Sequence, residues 1–257
     1  MSLPVLTTAG RVYRETRKKH DQLFNVYVMR PIAAVFVAAV GETKITPNQL
    51  TLLNLAVFVV AAGMLIALPS YRGGLAAVAV LELSYCFDCA DGMLARWKKL
   101  ASKSGHLFDF FTDELKAVLL AGALAVRLWR MGGLGYDGAT WGAGDARSLL
   151  GGLVAVTAIA SAISLTNFVR SPEVSGRETS VEAYYETVED KRPRSLFGRV
   201  AAHVTTFLRF LSHYPSHIWL WAAVGRMDAY LWLWTGLNLL YLARGWLGLV
   251  RRFGRRS

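Results

Sequence analysis

Long apolar runs separated by short polar stretches set the pattern of this chain. Six of the runs are near the length of about 20 residues that a helix needs to cross a bilayer, and they lie near 50–69, 73–94, 107–130, 148–169, 201–223 and 228–249. Lipid offers no hydrogen-bond partners to a backbone, so apolar runs of this length predict helices rather than open strands. A further run, Val26 to Val40, is short and broken by Arg30-Pro31, which predicts an interfacial or half-buried helix. Before it, RVYRETRKKHDQLFNVYVMRP reads as a basic amphipathic helix lying on a membrane face. The predicted fold is an all-α integral membrane protein with six transmembrane helices and an N-terminal interfacial amphipathic helix. Its expected divisions are 1–44 at the membrane surface, 45–250 for the six-span domain and 251–257 for a basic tail. The opening MSLPVLTTAG lacks the basic and then apolar pattern of a signal peptide, so none is expected.

Composition agrees with the pattern: 54% of the 257 residues are hydrophobic and only 18% are charged. The net charge of +11 is sorted along the chain. RVYRETRKKH, RWKKLASKSG, the segment holding Arg170, Arg177, Lys191, Arg192, Arg194 and Arg199, and the tail RRFGRRS are basic, whereas the alternate connections are poor in Lys and Arg. The positive-inside rule then places both termini and both basic loops in the cytoplasm, with the protein in an inner or plasma membrane. This distribution accounts for the basic balance through topology and anionic lipid headgroups, without nucleic acid. GGLGYDGATWGAGDA is expected to be an external connector, and ETSVEAYYETVEDKRPRS a polar cytoplasmic loop. Cys86 and Cys89 form a CxxC, but no second ligand pair follows, so they read as small apolar residues on a helix rather than as a zinc site.

The chemistry is concentrated where acid is costly. FDCADGMLAR puts Asp88 and Asp91 at the end of an apolar run, and GHLFDFFTDE puts Asp109 and Asp113 at the start of the next. Asp88, Asp91, Gly92 and Ala95 are spaced by threes and fours, and so share one helix face; Gly105, Asp109 and Asp113 share another. A short basic turn joins the two helices, which makes them antiparallel neighbours with facing stripes. Four carboxylates at one place repel one another and lose hydration. A hard divalent cation relieves both costs, and Mg²⁺ or Mn²⁺ take oxygen ligands. Four carboxylates suit a two-metal site, which clamps phosphoryl groups and activates a hydroxyl. Gly92, Ala95 and Gly105 leave space for a bulky ligand near the backbone, and Arg96 can neutralise phosphate oxygens. The plainer alternative is that the aspartates pair with Arg96, Lys98, Lys99 and Lys103 as solvated helix-end charges.

DCADGMLAR, eight residues, then GHLFDFFTD reads as DxxDGxxAR–x8–GxxxDxxxD, which resembles the signature of the CDP-alcohol phosphotransferase family in every fixed position. KITPNQLTLLNL, at the start of the first long run, is similar to an ITPNxxT stretch of the same family. The resemblance covers roughly residues 25 to 250. It implies a six-helix membrane enzyme, usually a homodimer, that moves the substituted phosphoryl group of a CDP-linked lipid such as CDP-diacylglycerol to an alcohol and releases CMP. Carried over by position, Asp88, Asp91, Asp109 and Asp113 are metal ligands, and Asp113 also takes the proton of the acceptor hydroxyl. Gly92, Ala95 and Gly105 make room for the CDP moiety, Asp88 and Arg96 meet it, and Asn48 and Thr51 line the same pocket.

For the acceptor, Arg170 and the pair Arg192 and Arg194 are similar to basic positions at which inositol-phosphate synthases of the family hold a phosphate. A phosphorylated polyol such as inositol phosphate is therefore the first expectation; the alternative is that these arginines are topology anchors and that the acceptor is serine, choline or another small amino-alcohol. Asp113 is followed by Glu-Leu-Lys, and Gly105 is preceded by Ser104, both departures from the patterns common in the family. A prenyltransferase would need a second Asp-rich motif. A cation transporter would put its carboxylates near the bilayer midplane rather than beside basic loops.

Overall fold

The computed structural model describes residues 3–18, 21–181, 198, 204, 206–208, 210, 211 and 213–254. They are mostly helical and fall into two compact units. One holds the chain up to Leu68 together with Arg72–Lys116; the other holds Pro69–Tyr71 and the chain from Ala117 on.

The first unit opens with α1, Leu3–Glu15. Its Ala9 and Val12 are buried, while Arg11, Arg14 and Glu15 lie on the exposed side. The amphipathic helix expected over 11–31 is thus displaced towards the N-terminus and stops before Thr16. The chain turns at Asp21, whose carboxylate accepts from the Gln22 backbone N–H at 2.9 Å and from Asn25 Nδ2 at 2.8 Å, and pairs with the Arg30 guanidinium. Arg30-Pro31 does not break the next helix, contrary to expectation. A π-helical turn, Asn25–Met29, leads directly into α2, Arg30–Val40, with the Arg30 N–H reaching Asn25 O. Pro31 sits in the first turn of α2, where its missing N–H is tolerated.

The ITPNQ motif has a local structural cause. It starts α3, Pro47–Ala67, through a capping box: Thr46 Oγ1 accepts from Gln49 N–H, and Gln49 Oε1 accepts from Thr46 N–H. Pro47 occupies the first turn. Helix α4 runs over Tyr71–Trp97. It ends in a left-handed turn at Lys99 (φ 56°), with Leu100 N–H donating to Ala95 O at 2.8 Å. Lys98 Nζ donates to Thr43 O and Ile45 O at 2.6 and 2.8 Å, tying this turn to the start of α3. Helix α5 then covers Lys103–Met131. The apolar core of the unit joins Ala9, Val12, Met29, Ala33, Val37, Leu50, Cys89, Ala90 and Met93. Cys86 and Cys89 are free, buried members of that core.

In the second unit the Gly-rich connector is folded rather than plain. Gly133–Leu134 (β1) pairs antiparallel with Thr140–Trp141 (β2). Trp141 is buried, with Tyr136 and Trp232 packed edge-on to it at ring separations of 5.0 and 5.8 Å. Asp145 caps α6, Ala146–Arg170, and the short α7, Pro172–Ser175, follows. The run expected to span 201–223 is interrupted: His213 is non-helical, and Tyr214–Ser216 is a 3₁₀ turn. Pro215 in that turn cannot donate a backbone hydrogen bond, which accounts for the break. Only then comes α8, Ile218–Ala223, followed by α9, Met227–Phe253.

Among the described residues, α3, α4 and α6 are long and apolar enough to cross a membrane. Their outward positions carry large apolar side chains, among them Leu52, Val59 and Val60 on α3 and Leu150, Leu153 and Val154 on α6. In water this surface would be a severe liability; in lipid it is the matching one. The chain is an integral membrane protein.

Candidate active site

The site is built on three helices of the first unit. The α4–α5 turn brings Asp88 together with Asp109 and Asp113, each offering one oxygen within 4.8 Å of the others. Asp88 is fixed by an inward polar chain that starts on α3. Asn54, fully buried, donates from Nδ2 to Asp88 Oδ1 at 2.8 Å, and Asn54 Oδ1 accepts from Ser84 Oγ at 2.6 Å. The same Asp88 oxygen accepts from Lys116 Nζ at 2.6 Å, and Lys116 also pairs with Asp113 Oδ1 at 2.6 Å. Lys116 is 1% exposed, whereas the Asp113 side chain is 46% exposed, so the cluster has a closed floor and an open side.

Asp91 stands apart from this triad. It is buried, and its Oδ2 accepts from Thr51 Oγ1 at 2.6 Å. Thr51 has one hydroxyl hydrogen and could also reach Pro47 O at 3.2 Å; the shorter approach to a charged acceptor decides for Asp91. Asp109, Asp88 and Asp113 are near enough for their charges to bear on it. Arg96 is held at Nε by Thr16 O at 3.0 Å, just past the end of α1. Asn48 is exposed beside Gly105: a Cβ at Gly105 would stand 3.4 Å from Asn48 Oδ1 and 3.0 Å from Ser102 Oγ. At Gly92 a Cβ would meet nothing nearer than the Arg96 guanidinium, at 3.5 Å, so packing within the chain does not demand glycine there. Ala95 is half-buried one turn away. Arg170 closes α6 in the second unit, and Arg192 and Arg194 lie outside the described residues.

Two residues of this cluster carried no role in the sequence reading: Asn54 and Lys116. Lys116 had a usable signal, because a lysine inside an apolar span calls for a partner. The surface alternative, with Lys98 and Lys99 neutralising the aspartates, fits less well: Lys98 is spent on backbone carbonyls, and the ion pairs of Asp88 and Asp113 run inward to Lys116.

The donor set fits a divalent cation. Its ligand atoms are all hard oxygens, and they sit close enough to share one ion. Asp109 Oδ1 is buried and has no hydrogen-bond partner among the described residues, a cost that a cation would remove. These features define a membrane protein with a carboxylate site able to bind a metal at the meeting of two helices. The family model for CDP-alcohol phosphatidyltransferase matches residues 44–227, and the chain belongs to that family. Members transfer a substituted phosphate from a CDP-linked donor to an alcohol. No curated protein matches the chain.

Proposed function

We propose that this chain transfers the phosphatidyl group of CDP-diacylglycerol to a phosphorylated polyol, inositol phosphate first, and releases CMP in a step of phospholipid biosynthesis that depends on Mg²⁺ or Mn²⁺. The observation that carries the reading is the meeting of Asp88, Asp109 and Asp113 within 4.8 Å, at the spacing of the family signature. These residues would hold the ion, with Asp91 a further ligand on the resemblance of its motif. An ion held there would supply positive charge to the donor diphosphate and to the departing CMP.

The chain's own residues do the rest. Asp113 has an open side chain, so an acceptor hydroxyl can reach it; it takes the hydroxyl proton as the oxygen bonds to the phosphatidyl phosphorus and the bond from that phosphorus to CMP breaks. Asn54 and Thr51 hold Asp88 and Asp91 in place. The room at Gly92 and Ala95 admits the cytidine, Arg96 meets the diphosphate, and Asn48 and Gly105 border the same opening. Arg170 is assigned to the acceptor phosphate on sequence resemblance.

The membrane reading that goes with this chemistry has six crossings, one of them made by the interrupted run near 201–223, and both termini in the cytoplasm, in a chain that works as a homodimer. Helices α5 and α9, with 29 and 27 residues, exceed the length needed to cross. Outward Leu239, Leu240, Trp246, Leu247 and Val250 on α9 suit lipid.

The test is CMP release from CDP-diacylglycerol with a panel of alcohols and phosphoalcohols. A phosphorylated polyol should be the best acceptor. Arg170→Ala should raise the acceptor KM about tenfold to a hundredfold, the worth of a charge-assisted contact, and leave the donor KM unchanged. Arg170→Lys should restore only part of it, because an ammonium lacks the planar fork. Serine or choline as best acceptor, or full rescue by lysine, would contradict the assignment.

A further inference from the structure

Lys116 is the feature that the proposed chemistry leaves unused. Its ammonium bridges Asp88 Oδ1 and Asp113 Oδ1 at 2.6 Å each, two of the three side chains that would hold the ion. The geometry follows from its position. A residue three places after Asp113 stays on the same face of α5, so the lysine is aimed into the cluster. At 1% exposure it has no water shell, and a buried ammonium persists only where carboxylates compensate it. Asp88 Oδ1 is then committed within the protein, accepting from Asn54 Nδ2 as well as from Lys116. The buried Asp109 Oδ1 has no hydrogen-bond partner among the described residues and is left for an ion.

Charge carries the argument further. Four carboxylates alone would balance two divalent ions. Here one cation is covalently part of the helix and seated between two of the ligands. With one ion held by the triad beside that ammonium, a second divalent ion would meet two like charges already in place, and charges of one sign brought this close repel strongly. We propose that Lys116 takes the place of one of the two ions that four carboxylates would otherwise hold, so that the site binds a single divalent ion next to a fixed ammonium. This inference rests on the triad being the metal site.

The experiment is Mn²⁺ binding to the full chain in detergent or nanodiscs, read as free Mn²⁺ by electron paramagnetic resonance, with thermal midpoints measured in parallel. The unaltered protein and Lys116→Arg should each bind one Mn²⁺ per chain. Lys116→Met should bind a second ion, or bind the first roughly tenfold or more tightly, as expected when a neighbouring like charge is removed. Its midpoint should fall without metal and recover with Mn²⁺, since an ion can replace the missing ammonium but not a lost packing contact. Two ions in the unaltered protein, unchanged stoichiometry and affinity in Lys116→Met, or a Lys116→Met protein that stays unfolded in saturating Mn²⁺ would each overturn the inference. If the unaltered protein binds no Mn²⁺ at all, the metal assignment of the triad fails and the inference fails with it.

Discussion

Helix α5 buries two cations in two different ways. Lys116, 1% exposed, sits between carboxylates, and Arg127, 5% exposed, donates from Nη2 to the backbone carbonyl of Ser70 at 2.5 Å. Around Arg127 the second unit closes its charges mainly with its own backbone. Asp228, which lines the same cavity of about 140 Å³, accepts from Leu134 N–H and Ala229 N–H at 2.7 Å each and from Arg226 Nε at 3.0 Å. Around Lys116 acid is in excess. Asp88, Asp109, Asp113 and the nearby Asp91 outnumber it, and Asp109 Oδ1 has no partner among the described residues. A charge closed by backbone groups fixes a turn. A cluster of carboxylates with an open side keeps a place for something else. The difference separates polar groups that close a turn from a cluster able to bind a metal.

Asn54 offers the larger break in that comparison. It touches no substrate in the proposed reaction, but it orients Asp88 across two helices. Asn54→Leu should weaken Mn²⁺ binding about tenfold to a hundredfold, the usual cost of losing a group that orients a metal ligand. An unchanged Mn²⁺ affinity would mean that Asp88 does not depend on α3 for its position. Arg127 offers the smaller one. Arg127→Met should lower stability by about 1.5–3 kcal/mol, the worth of one hydrogen bond from a charged donor, visible as a reduced thermal midpoint in detergent. Mn²⁺ affinity should stay within about twofold, because effects at sites that share no partner add independently. A loss of metal binding in Arg127→Met would erase the distinction between the two cations.

Much of this was legible in the sequence because it is local. The apolar runs marked α3, α4, α6 and α9 to within a few residues, and the spacing of Asp88, Asp109 and Asp113 placed them on faces that do meet. What could not be read depended on partners distant along the chain. Asn54 is 34 residues from Asp88, and nothing in LTLLNL marks which polar side chain turns inward. The turn after α1 is set by Asp21 and Arg30, so the basic pattern of 11–31 looked continuous. Asp91 carried the same spacing signal as its neighbours, but its hydrogen bond from Thr51, 40 residues away, needs α3 in place and could not be read from that spacing. The aromatic packing of Trp141 against Trp232 likewise turned an apparent connector into a folded hairpin.

The aspartate triad is proposed to perform metal-dependent transfer from a CDP-linked donor. The direct measurement is CMP release by purified protein from CDP-diacylglycerol with a phosphorylated-polyol acceptor, first with chelator and then with Mn²⁺ added back, alongside Asp109→Asn. No CMP should form in chelator, Mn²⁺ should restore release, and Asp109→Asn, a protein that still folds and inserts, should lose about a hundredfold or more. CMP release that persists in chelator, or an Asp109→Asn protein that turns over at the unaltered rate, would contradict it.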